Sequence, residues 1–192
     1  SVPGDDRPNG EGDRVIEIWN LVFMQYNRDA SGTLHPLPKP SIDTGMGLER
    51  LVAVAQGVSS NYDSDLFTPL LAAIAGRAGI EYGKQDSSNR SMRVIADHLR
   101  AITFLMTDGI LPSNEGRGYV LRRILRRAAR HGRLLGIVEP FLHELSATVV
   151  DQMAATYSEV RAASGTIVEA TKGEEERFIA TPDQGLPLLN DI

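Results

Sequence analysis

Pro40-Ser41-Ile42-Asp43-Thr44-Gly45-Met46-Gly47-Leu48-Glu49-Arg50 is the stretch around which the rest of the chain is read. A short extended run ends in two glycines one residue apart. A helical pattern starts at Leu48, runs through Leu51, Val52 and Val54 to Gln56, and stops at Gly57. Glycine lets backbone or ligand approach closely and adopts dihedrals that other residues avoid. A helix N-terminus presents N–H groups and a partial positive charge, which attract anions. Arg50 falls in that first turn, and a guanidinium is the side chain best shaped to clamp a phosphate. Asp43, just before the turn, suits a cation or an ammonium group. Together these residues read as half of a site for an anionic, phosphate-bearing ligand. The same residues also fit a plain tight turn with Glu49 and Arg50 as solvated charges, and a lone short glycine motif does not decide between the two.

Toward the N-terminus, Arg14 to Tyr26 reads RVIEIWNLVFMQY, apolar at most positions and rich in β-branched and aromatic residues. That composition predicts a strand buried on both faces rather than a helix. Glu17, Asn20 and Gln25 inside it need hydrogen-bond partners if buried. Asp29-Ala30-Ser31-Gly32 is a turn signal, and the proline-rich Leu34 to Pro40 predicts an edge strand or extended loop. Strand, turn, strand and helix would make one antiparallel unit.

Toward the C-terminus, Val58 to Ser64 is a polar connector, and the domain boundary is expected there, separating residues 1–60 from 61–192. Asn61 to Asp65 would cap a helix from Leu66 to Ala78, closed by Gly79. Lys84 to Arg90 reads as a linker. Ser91 to Asp108 reads as a long helix with Ile95, Leu99, Ile102 and Met106 on one stripe, Gly109 at its end and His98 as a core or boundary residue. The tight loop Leu111 to Gly118 then feeds a helix from Tyr119. On it Arg122, Arg126 and Arg130 stack at four-residue spacing, with Arg123 and Arg127 alongside and Leu121, Ile124, Leu125 and Ala128 opposite. Such an arginine face either meets phosphates or pairs with acids across a helical bundle. Asn114, on the preceding loop, carries an amide able to read a base edge. Pro140 to Ala155 and Thr166 to Ala180 read as further helices, with Pro182 and Pro187 breaking the last one near Thr181.

The 192 residues carry a net charge of −5, but the charge is segregated. Asn114 to Arg133 holds seven arginines against one acid, whereas Glu139 onward holds ten acids against three bases. One dense basic strip in an acidic chain points to a localised polyanion contact. There are no cysteines, so no disulfide and no thiolate ligand, which fits a cytoplasmic, reducing compartment. The four histidines lack zinc-like spacing, and no apolar run is long enough to span a membrane. The absence of an initiator methionine and the loop-like Ser1 to Asp13 suggest an excised internal fragment.

Gly45-Met46-Gly47-Leu48-Glu49-Arg50 resembles motif 3 of class II aminoacyl-tRNA synthetases, and Ser41 to Arg50 resembles the form found in alanyl-tRNA synthetases. Glu17 to Tyr26 is similar to the strand lining the alanine pocket of that family. Leu105 through Gly132 resembles its helical tRNA-recognition domain, and Glu174 to Phe178 fits the family's long helix. The resemblance runs from about Asp13 to Phe178. It implies an α+β fold: the C-terminal piece of a class II antiparallel sheet, then a mostly α-helical bundle. It implies that Asn20, Val22, Asp43 and Gly45 border the amino acid, with Asp43 on its ammonium and Gly45 leaving room for a methyl group. It assigns Gly47 and Arg50 to ATP, with Arg50 on the γ-phosphate. Asn114 would recognise a G·U wobble pair in the tRNA(Ala) acceptor stem, with Arg117, Arg122, Arg123 and Arg126 as candidates for backbone contacts. The parent reaction would activate alanine with ATP and Mg2+ and transfer it to tRNA. Motifs 1 and 2 are not seen, nor is an editing domain. Any zinc would belong to other regions of the parent, so no metal ligands are expected here and the chain alone is expected to be inactive. An RNA-binding helical module without a catalytic role is the alternative.

Overall fold

The computed structural model of the chain describes residues 15–180. It is an α+β structure that divides into two compact units, meeting in sequence between Leu66 and Phe67.

In the first unit, β1 (Trp19–Arg28) and β2 (Leu34–Met46) form an antiparallel hairpin. The turn is held by Asp29, whose Oδ1 accepts from the Ser31 and Thr33 N–H groups at 2.9 and 3.0 Å while Oδ2 meets His35 at 2.7 Å. The Ser31 hydroxyl, which donates to Oδ1 at 2.6 Å, does most, with His35 and the Thr33 N–H, to favour the anion and bring the Asp29 carboxyl down to about 2. Gly32 supplies the left-handed turn residue at φ 88. Register shifts between Met24 and Tyr26, where Met24 pairs with Ser41 but Tyr26 with Pro36. The extra residues on β2 include Pro38 and Pro40, which have no N–H to give the ladder. Helix α1 (Leu48–Gln56) follows, ending at Gly57 with φ 67, as the sequence pattern predicted.

The expectation of a strand buried on both faces is not met: all ten residues of β1 are exposed. Among the described residues of this unit, β1 has one partner strand and no layer over either face. Its apolar composition therefore records burial that this unit does not itself provide. Within residues 15–66 only Ala53 and Ser64 are buried.

The second unit holds six helices among its described residues: α2 (Thr68–Ala78), α3 (Asp86–Thr107), α4 (Gly116–Leu134), α5 (Leu142–Met153), α6 (Ser158–Ala162) and α7 (Ser164–Ile179). Its core is continuous. Leu70 and Ile74 of α2, Ile95, Leu99 and Ile102 of α3, Leu121 and Leu125 of α4, Leu142 and Val149 of α5, and Ile167 of α7 are fully buried. Each such side chain contributes about 1.5–3 kcal/mol by leaving water. His98 is a half-buried boundary residue, its Nδ1 3.0 Å from Asp97 Oδ2.

Several boundaries differ from expectation, α4 among them, which starts at Gly116 rather than Tyr119. The Asn61–Asp65 stretch does not cap α2: Asn61–Asp63 forms a single 3-10 turn capped by Ser60, and α2 starts at Thr68 with Pro69 in its first turn. Helix α3 begins at Asp86, five residues before Ser91, because its first turn is solvent-facing and polar and so reads as linker. The short α6 carries too few residues to show a period. Helix α7 ends at Ile179, while Pro182 and Pro187 lie outside the described residues.

Candidate functional site

In the hairpin, Asn20 lies opposite Gly45 and Val22 lies opposite Asp43. Directly opposed residues share a face and positions two apart on a strand share a face. Asn20, Val22, Asp43 and Gly45 therefore occupy one face, two by two. The other face carries Trp19, Leu21 and Phe23 against Ile42, Thr44 and Met46, with the Trp19 indole N–H donating to Thr44 Oγ1.

On the first face, Asn20 Nδ2 donates to Glu17 Oε1 at 3.1 Å. A Cβ on Gly45 would lie 3.3 Å from Asn20 Oδ1, so the glycine leaves the space beside this amide open. Asp43 Oδ1 accepts from the Thr44 N–H at 2.9 Å, and its carboxylate is exposed. At the end of β2 the Gly47 N–H donates to Ile18 O at 2.9 Å, extending the ladder to the start of α1. Gly47 has an extended backbone, and no side chain caps the helix. Arg50 folds its stem over Gly47, where a Cβ would sit 3.3 Å from Cδ, and gives one N–H to Glu17 O at 2.7 Å. The guanidinium is thus tethered at the mouth of the hairpin. Physically, this is a small-walled face with a carboxylate in its middle and a fixed cation and helix start at its end.

The second constellation lies on α4. Gly118 seats the loop: a Cβ there would be 2.2 Å from Ser113 Oγ and 2.4 Å from Leu111 O. Ser113 N donates to Gly118 O at 3.1 Å, and Ser113 Oγ to Glu115 O at 2.9 Å. Asn114 is exposed on this loop and accepts from Arg122 Nη1 through Oδ1. A guanidinium has no acceptor, so the amide must turn its oxygen inward and its NH2 outward.

The arginines divide. Arg122 and Arg126 place Nε 3.1 and 2.8 Å from Oε1 of Glu174 on α7, and Arg177 places Nε and Nη2 3.2 and 3.1 Å from Oε2. Glu174 is fully buried, and three guanidiniums compensate it. Arg126 also lies 5.7 Å from the Phe178 ring centroid. Arg117, Arg123, Arg127 and Arg133 are exposed, with Arg123 5.9 Å from the Tyr119 ring centroid. Thus the arginine face pairs across the bundle through Arg122 and Arg126, while Arg117, Arg123, Arg127 and Arg133 stand exposed.

Glu174 was missed in the sequence because Glu174-Glu175-Glu176 looks like a solvated run. Its spacing from the buried Ile167 and Thr171 is the signal that marks an inward position. Glu175 was missed likewise; its Oε2 accepts from the Phe141 and Leu142 N–H groups at 3.1 and 3.0 Å and so caps α5 from another helix. Among the described residues, no group of three His, Asp or Glu side chains stands ready to hold a metal ion, and no helix is long and apolar enough to cross a membrane.

Residues 2–192 match the family described as tRNA synthetases class II (A). The chain belongs to this synthetase family. It is 58% identical over 192 residues to an alanine–tRNA ligase of Acidithiobacillus ferridurans, covering 99% of this chain and 22% of that protein. It is 56% identical over 179 residues to the alanine–tRNA ligase of Nitratidesulfovibrio vulgaris, covering 93% of this chain and 20% of that protein. The corresponding ligase of Neisseria gonorrhoeae is 54% identical over 190 residues. The chain spans about a fifth of the length of the curated relatives it matches. The resemblance to alanyl-tRNA synthetases read from the motif-3 stretch is borne out.

Proposed function

We propose that this chain is the part of an alanine–tRNA ligase that carries one wall of the alanyl-adenylate site and the surface that reads the tRNA acceptor stem. The observation that carries the proposal is the single hairpin face holding Asn20, Val22, Asp43 and Gly45, with Arg50 at its end. Asp43 would bind the alanine ammonium, and Val22 and Gly45 would close around its methyl group. Gly47 and Arg50 would meet ATP, the arginine on the γ-phosphate. ATP would enter as its Mg2+ complex, in which the metal offsets phosphate charge. The proposed boundary between the two roles is the connector near residue 60, and the cytoplasm is the compartment this reading implies.

For the acceptor stem, Asn114 would face a G·U pair with its amide NH2. Exposed Arg117 and Arg123 would meet backbone phosphates, with Arg122 and Arg126 contributing chiefly through Glu174. By itself the 192-residue chain would not activate alanine, because one hairpin cannot surround an adenylate. Alanine-dependent exchange of pyrophosphate into ATP by the purified chain would refute that statement.

The test of the recognition role is binding of the chain to acceptor-stem minihelices with G·U or G·C at the third pair. Tighter binding to G·U that disappears in Asn114→Ala supports the proposal. Equal binding of both minihelices by the unsubstituted chain removes the base-reading role of Asn114.

A further inference from the structure

The recognition loop has a support beneath it that belongs to a different helix. Asn114 stands exposed on a loop whose glycines and serine fix its backbone but make no bond to its side chain. The side-chain bond comes from Arg122, two turns along α4. Arg122 is itself a long, flexible cation, and its side chain is only 20% exposed. Its Nε lies 3.1 Å from Glu174 Oε1 as an ion pair without hydrogen-bond alignment, so one end of the guanidinium faces a buried carboxylate and the other donates to an exposed amide. Glu174 sits on α7, 60 residues from Asn114 in sequence; Arg126 meets the same oxygen at 2.8 Å, and Arg177 contacts the other one.

We infer that Glu174 is a positioning residue for acceptor-stem recognition: through Arg122 it fixes which way the Asn114 amide faces. The inference rests on the proposed role of Asn114. A planar guanidinium held by an ion pair on one side and a hydrogen bond on the other has little rotational freedom left. Without the buried carboxylate, Arg122 has no reason to stay under the loop. The Asn114 amide would then turn freely and present oxygen and NH2 in turn. Three arginines would also lose their buried partner, so phosphate attraction would rise while discrimination fell.

Two variants test this in the full chain. Glu174→Gln removes the charge at nearly constant volume. Arg122→Lys keeps the cation beside Glu174 but lacks the span to reach both acceptors. The first readout needs no RNA: 15N relaxation of the Asn114 side-chain NH2, with helicity checked by circular dichroism. Both variants should leave the helices folded and loosen the Asn114 amide. Arg177→Ala, which touches Glu174 but not Asn114, should leave that amide ordered. The second readout is the ratio of G·U to G·C minihelix affinity, which should drop on the order of tenfold in both variants, within the range of one good base contact. Rescue by Glu174→Asp of part of that ratio would further support a positioning role.

A folded Glu174→Gln chain with an equally ordered Asn114 amide overturns the inference, whatever the RNA affinities. If the unsubstituted chain has no G·U preference while the amide loosens in both variants, the base-reading role of Asn114 fails and the Glu174 support of the loop stands.

Discussion

Gly118 and Gly132 show how much of this molecule rests on missing methyl groups. A Cβ at Gly118 would overlap both Ser113 and the Leu111 carbonyl, and one at Gly132 would lie 2.2 Å from Cε1 of the buried Phe141 ring. Overpacking of this kind typically costs about 1–3 kcal/mol. Gly118→Ala and Gly132→Ala should each lower the urea midpoint by a corresponding amount. An unchanged midpoint in Gly118→Ala would mean that the loop yields without loss. Other placements were legible from sequence: the two glycines where strand gives way to helix, Arg50 in the first turn of α1, and the arginine run on one helix, α4. Glu174 and Glu175 were not, because a carboxylate in a run of three says nothing of its burial until its helical neighbours are known.

Among elements, the capping of α5 by α7 makes stability depend on pH. Burial pushes the Glu175 carboxyl up to about 7, against the two backbone N–H groups that pull it down. Glu144 nearby raises it further, and Arg77 opposes this. The folded chain therefore holds a proton that the unfolded chain releases near 4.5. Its contribution is full below about 4.5 and is lost as pH rises through about 7. The gap bounds the effect at about 3 kcal/mol. Unfolding free energies measured from pH 4.5 to 8 should fall in the original chain and flatten in Glu175→Gln, whose amide oxygen still accepts both N–H bonds. Equal slopes in the two proteins would show that another group titrates. Element type was read correctly for β1, β2, α1 and the long helices because their periods and glycine stops are strong. Starts failed where the first turn is polar, at α3, or where proline sets it, at α2.

The whole molecule is uneven in stability. Fourteen large apolar side chains between Val15 and Val54 are exposed, Phe23 at 68% and Ile42 at 61% among them, whereas residues 67–180 enclose a continuous core. An open hairpin with apolar faces and unpaired edges invites association. The full chain should therefore self-associate with rising concentration in sedimentation equilibrium, and a chain of residues 67–192 should stay monomeric and helical. A full chain that remains monomeric at high concentration would show that the hairpin is covered in solution. The apolar composition of β1 correctly announced a strand, but its burial could not be read, since that depends on layers outside this unit.

Charge at the same scale leads to the most direct test of the account. Acceptor-stem binding should be measured across a range of salt concentrations for the chain and for Arg123→Ala and Arg126→Ala. Affinity should fall steeply as salt rises, with the slope reduced by about one in Arg123→Ala and nearly unchanged in Arg126→Ala. Binding that is absent, or indifferent to salt, would contradict an RNA-facing arginine surface and leave α4 as a face turned only to its own acids.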